Sequence, residues 1–335
     1  MARRKSSKKM EPVPLKLNFI IPASSNDVNF IDISQCVSAL SRKFFRQGLN
    51  WAVAGGRIIM PTASTPDGNG VYLSTLPHTW TMSNSWEKVF RAWRRQQKEA
   101  LEDGDQESIR AAFNDFKIHA DANHLQNGFG TNLLPVNLGP QSVVGPFPSA
   151  VTYSAPVMAG EWEASQIVIP NYGSPGTNYE PYLMAVGANV GGVGGALSLV
   201  DLYQNSRALP QSPDPVTPGG LLTTDNYLSA MFDVGDNNLE VLDNVSSKND
   251  ELPYNHGNYP GGDTNFPVLE NQVAVLNTNT VGFSEYKFTG FSAPCGLIRV
   301  DQMYSDDSST FPLVIELELM PGTHRGYLAE PMTEM

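Results

Sequence analysis

Apolar and polar residues alternate at both ends of the chain. Leu15, Leu17, Phe19 and Ile21 alternate with Lys16, Asn18 and Ile20, while Leu313, Ile315, Leu317 and Leu319 alternate with Val314, Glu316, Glu318 and Met320. A period of two sends one set to a buried sheet face and the other outward, so both stretches predict strands. Further strands are predicted near residues 51–60, 70–82, 151–158, 165–169, 268–276 and 281–291. Long loops rich in Pro, Gly, Asn and Asp separate them, notably 204–226 and 246–266. Loops of that length suit an exposed contact surface better than an enzyme core.

The period changes over residues 84–101, where Trp86, Val89, Phe90, Trp93, Ala100 and Leu101 share one helical face. Asn84, with Glu87 three residues later, supplies a cap. A second helix is predicted over 106–117 with Ile109, Ala112, Phe113 and Phe116 inward, which makes a two-helix insertion at about 84–117. The uncharged run 181–200 carries Gly187, Gly191 and Gly195 at the spacing of membrane-helix contacts. Its five glycines and Asn189 make a poor apolar helix, and it divides into strands at 182–186 and 196–202 around a Gly-rich loop. No membrane association is expected.

Composition supports the strand reading. With 29 Gly, 25 Pro and only 17% charged residues in 335, the chain has many reversals between short elements, the profile of an all-β sandwich or barrel. Cys36 and Cys295 stand far apart and outside any metal spacing, so no disulfide framework is implied and a reducing compartment fits. The N-terminal region has no apolar stretch of the secretory kind.

Charge is strongly segregated. Six of the 22 basic residues, Arg3, Arg4, Lys5, Lys8, Lys9 and Lys16, fall in the first sixteen positions against the single acid Glu11. The remainder, with 16 bases and 33 acids of the 34, carries −17. This reads as a cationic arm over 1–14 on an acidic body over 15–330, with a short tail at 331–335. Phosphates of a nucleic acid are the natural partner of such an arm, and RRKSSKK also has the composition of a nuclear import signal. A solubilising tail is the plainer alternative. The helix over 84–101 adds Lys88, Arg91, Arg95 and Lys98 at spacings of three and four. Glu87, Glu99 and Glu102 each stand four residues from one of these cations, so intrahelical ion pairs compete with a nucleic-acid role.

Catalytic signals are sparse. His119, Asp121 and His124 offer two imidazoles and a carboxylate to a metal, or simply turn the chain after the second helix. Glu161 and Glu163 flank Trp162 and share a strand face, as a glycosidase's carboxylates beside a sugar platform do; acids are plentiful here, and a solvated sheet edge is the preferred account of the pair. Asp233, Asp236, Asn237, Asn238, Asp306 and Asp307 could give oxygens to calcium at a subunit interface. No serine elbow, zincin helix, phosphate loop or CxxC is present, and no cofactor is expected.

The basic arm, the terminal strand over 312–320, and the stretch NSWEKVFRAWRRQQKEALED followed by DFKIHADANH resemble capsid proteins of small circular Rep-encoding single-stranded DNA viruses. The resemblance implies a single jelly-roll β-sandwich of two four-stranded antiparallel sheets. It implies assembly into an icosahedral shell of 60 or more copies around viral single-stranded DNA, in a virion assembled in the host nucleus or cytoplasm and recognised by a host receptor. Sixty arms bring roughly 360 charges against on the order of a thousand phosphates, so mobile cations, polyamines or the helix stripe must supply the rest. The alternatives are a monomeric carbohydrate-binding or carbohydrate-cleaving sandwich built on Glu161, Trp162 and Glu163, and an intracellular nucleic-acid-binding protein.

Overall fold

A computed structural model describes residues 12–21, 28–61, 70–104, 116–138, 150–152, 166–168, 180–186, 196–207, 254, 258–260, 273–275, 283–303 and 313–335. The strands are β1 (Lys16–Ile21), β2 (Val28–Asp32), β3 (Leu49–Pro61), β4 (Gly70–Thr75), β5 (Val136–Leu138), β6 (Ala150–Thr152), β7 (Gln166–Val168), β8 (Tyr182–Val186) and β9 (Ala196–Ser198). They continue with β10 (Val273–Val275), β11 (Phe283–Ala293), β12 (Leu297–Met303), β13 (Leu313–Leu319), β14 (Pro321–Gly322), β15 (Gly326–Tyr327) and β16 (Ala329–Pro331). The helices are α1 (Ile33–Ser41), α2 (Trp80–Asp103), α3 (Ala122–Asn127) and α4 (Leu199–Arg207).

The two alternating ends of the chain pair with each other. In the antiparallel β1–β13 ladder Leu17 lies opposite Leu317, Phe19 opposite Ile315 and Ile21 opposite Leu313, and all six are buried. Chain-order partners nest outward from the middle: β4 pairs with β10, β3 with β11, β2 with β12 and β1 with β13. Two further pairings, β13 with β3 and β12 with β4, join these into sheets ordered β1-β13-β3-β11 and β10-β4-β12-β2, with β16 added on β3. Leu17, Phe19, Ile315 and Leu317 from the first sheet share one core cluster with Ile31, Val71, Leu73, Ile298 and Val300 from the second, the arrangement of a β-sandwich. β3 crosses the first sheet through a bulge at Gly55, whose φ of 141° lies where side chains are disfavoured; a Cβ there would stand 2.7 Å from the Phe288 carbonyl.

The second sheet is buried on its other face too. Phe30 of β2 and Leu297 of β12 meet Met82, Trp86, Val89 and Phe90 of α2, and Phe116, Leu183 and Leu199 close the cluster. Trp86 stacks on Phe90 at 4.9 Å, and Phe116 meets both edge-on.

Several expected boundaries are corrected. The strand expected over 70–82 ends at Thr75, and α2 begins at Trp80, capped by Thr79 Oγ1, which accepts from Met82 N. Asn84 is not the cap: its amide donates to the Trp80 carbonyl inside the first turn, at 2.9 Å. Ala100 is exposed and Leu101 half-buried, so the apolar face ends near Trp93. Most of the second predicted helix, residues 106–115, lies outside the described residues; Phe116 and Lys117 follow in non-helical backbone, both buried. The expected strand over 196–202 stops at Ser198, because Ser198 Oγ accepts from Asp201 N at 3.2 Å and starts α4. The expected tail is docked: β16 pairs with β3, Met332 is fully buried and Ser83 donates to its carbonyl. Helix α1 is an addition; Asp32 caps it, and Ile33, Cys36, Val37 and Leu40 give the apolar stripe that marks it in sequence. Strand outweighs helix, 42% to 35% of the described residues, so the body is β-rich with helices covering one sheet.

Candidate nucleic-acid interface

Arg3, Arg4, Lys5, Lys8 and Lys9 lie outside the described residues, whereas the point at which the arm joins the body is described. Tyr327 Oη donates to the Pro14 carbonyl at 2.9 Å, and Val13 and Leu15 pack on the main core. Burial pushes the Tyr327 phenol up to about 12, so it keeps the donated proton at neutral pH. Tyr327 meets Phe45 and Trp51 edge-on, each at 5.6 Å, and Trp51 Nε1 donates to Ser34 Oγ of α1 at 3.0 Å. Residues 13–15 are therefore held by a packed aromatic anchor.

Lys16 belongs to β1, with Nζ 3.2 Å from Glu316. Glu316 also takes Arg57 at 3.0 Å, and Arg57 reaches Glu285 at 3.5 Å. Burial pushes the Glu316 carboxyl up, but hydrogen bonds from Arg57 and Lys16 outweigh it and hold the group below its usual value. Lys16 thus sits in a polar row on the outer face of the first sheet.

The stripe on α2 divides into paired and unpaired cations. Arg91 bonds Glu87 at 2.6 Å, Arg95 bonds Glu99 at 2.7 Å and Lys98 bonds Glu102 at 3.1 Å, as the spacing of four suggested. Lys88 and Arg94 are exposed and make no ion pair among the described residues.

His119, Asp121 and His124 are brought together in a buried polar network against the second sheet. Asp121 Oδ1 caps α3 by accepting from His124 N at 2.8 Å, and Asp121 also pairs with Arg299 of β12. Both ring nitrogens of His124 are engaged, Nδ1 accepting from Ala120 N at 3.0 Å and Nε2 facing Asn132 Oδ1 at 2.9 Å, so neither lone pair is open to a metal. His119 stacks on Phe129 at 4.2 Å. Desolvation by burial lowers His119 to about 3 and His124 to about 4, so both rings are neutral at physiological pH. Beside them Lys117 Nζ stands 3.7 Å from Asp32 Oδ2, with only 3% and 0% of the side chains exposed. Burial raises the Asp32 carboxyl and Lys117 opposes it. The cluster ties segment 116–133 to the sandwich. Among the described residues no group of three or more His, Cys, Asp or Glu could hold a metal ion.

Glu161, Trp162, Glu163, Asp233, Asp236, Asn237, Asn238, Asp306 and Asp307 lie outside the described residues. Cys36 and Cys295 are free and fully buried, and burial pushes both thiols well above their usual value, which removes them as nucleophiles. No helix among the described residues is long and apolar enough to cross a membrane.

No family model matches the chain, and neither a curated protein nor a solved structure matches it. The cations that sequence reasoning passed over are Arg42, Lys43 and Arg46, in the loop between α1 and β3. Their signal was the lack of any acid between Asp32 and Asp67 in an otherwise acidic body.

Proposed function

We propose that the chain is a non-enzymatic viral coat subunit with a jelly-roll body. It assembles with copies of itself into an icosahedral shell and holds single-stranded nucleic acid through Arg3, Arg4, Lys5, Lys8 and Lys9. The observation that carries the reading is the strand order. The nested pairing of β4 with β10, β3 with β11, β2 with β12 and β1 with β13 follows the path of a long hairpin folded into two sheets, which supports a jelly-roll body of the kind that viral coat proteins use. The segregated charge supports the same role, since arm cations release counterions from phosphates without reading sequence, while an acidic body keeps a concentrated assembly soluble. Subunit contacts can be individually weak, because a closed shell makes many of them at once.

Light scattering coupled to gel filtration, with absorbance read at 260 and 280 nm, tests the proposal. A megadalton particle with excess 260 nm absorbance is expected, and deletion of residues 1–10 should lower that excess while particles still form. A monomer of 36.5 kDa across buffers overturns the coat reading.

A further inference from the structure

The folded body carries a second concentration of positive charge, next to the arm's exit. Arg42, Lys43 and Arg46 are exposed in the loop after α1, and Arg325, exposed in the turn between β14 and β15, donates from Nη1 to the Phe44 carbonyl at 2.7 Å. Arg325 also lies over the Phe45 ring at 5.6 Å, the same ring that Tyr327 meets while holding Pro14. Arg46 lies over Phe90 of α2 at 5.7 Å, and exposed Arg94 follows Phe90 by one helical turn. Arg42, Arg46, Arg94 and Arg325 make no ion pair among the described residues, in contrast to Arg91, Arg95 and Lys98 on the same helix. No acid occurs between Asp32 and Asp67, nor between Glu318 and Glu330.

Backbone conformation points the same way. Only three non-glycine residues among those described have positive φ, and two of them are Arg42 at 55° and Arg325 at 54°. Arg42 ends α1 and Arg325 lies in the turn between β14 and β15, and at left-handed positions of either sort glycine is the ordinary occupant and a side chain is disfavoured. Arginine at both sites keeps charge where stability alone favours glycine, a trade characteristic of functional positions.

We infer that Arg42, Lys43, Arg46 and Arg325, extended by Arg94, form a preorganised binding patch for the phosphate backbone of single-stranded nucleic acid, continuous with the arm. The inference rests on the coat reading for the identity of its ligand. Lys9 precedes Pro14 by five positions, so chain length alone keeps it within about 18 Å of the anchor and one strand can reach both. The Arg46 and Arg325 guanidinium groups, held by ring and backbone contacts, give up little freedom on binding. The patch also adds to the cations available for genome neutralisation beyond the arm.

The test is the salt dependence of binding to a fluorescent oligodeoxythymidylate, measured on the full chain. Each lost phosphate contact should flatten the slope of log K against log salt by about 0.7, so R42Q/K43Q/R46Q/R325Q should lose about 2–3. R91Q/K98Q removes charge at ion-paired positions and should change the slope by less than about 0.7. If the fourfold variant misfolds, R42Q/R46Q leaves the Arg325 bond in place and should still lose about 1.4. An unchanged slope in R42Q/R46Q, or in the folded fourfold variant, overturns the patch. Light scattering on the same samples separates the two ideas. Particles with an unchanged slope remove the patch and keep the coat reading, whereas a monomer whose slope falls in the variant keeps the patch and removes the coat reading.

Discussion

Replacing His119 by Phe should make the fold measurably less sensitive to acid. His119 is buried, stacks flat on Phe129 and makes no hydrogen bond through Nδ1 among the described residues, so phenylalanine fits the site without orphaning a partner. Its folded value of about 3 lies below the ordinary 6.5 because burial opposes the charged ring. With the folded value depressed, the stability attached to the neutral ring is complete above pH 6.5 and is lost as pH falls toward about 3, since the unfolded chain binds a proton that the folded one refuses. Between pH 6 and pH 5 that proton lowers stability by about 1 kcal/mol, close to the limit set by one full proton. Urea unfolding at pH 7, 6 and 5, at one protein concentration with the assembly state checked by light scattering, should show wild type losing about 1 kcal/mol more than His119→Phe over the pH 6 to 5 step. Equal losses in the two proteins would mean that the ring protonates freely in the folded state and would refute the burial argument.

Removing Lys117 tests the buried pair beside it. Lys117→Met strands Asp32 in the core and should cost about 3–5 kcal/mol, while the double change D32N/K117M should recover most of that, because Asn still caps α1 and no charge is left unpaired. A double variant as unstable as the single one, by denaturant midpoint, would count against the pair. Thr79→Ala removes the cap of α2 and should lower stability by about 1 kcal/mol, whereas Asn84→Ala should cost less, a contrast readable by thermal unfolding.

The α2 ion pairs were legible in the sequence because a spacing of four fixes neighbours on any helix. The metal reading of His119, Asp121 and His124 turned on what the sequence does not show. Asn132 and the Ala120 amide occupy His124, Arg299 occupies Asp121, and Arg299 comes from a strand 178 positions beyond Asp121. Arg42, Lys43 and Arg46 look like an ordinary loop until Arg325, distant in the chain, is folded beside Phe44.

Alternation by itself determined that residues 16–21 and 313–319 are strands with one dry face, because a period of two needs no partner to be read. That these two strands pair, Phe19 opposite Ile315, was decided only by the tertiary structure. Register and partner depend on which dry faces meet across the core and on the loop geometry that lets them, and these are properties of the whole chain. The same division holds for Thr79 and Asn84. Both side chains can cap a helix, and Thr79 takes the role while Asn84 turns inward to the Trp80 carbonyl, because the packed positions Met82, Trp86 and Val89 draw the helix back one turn onto the second sheet.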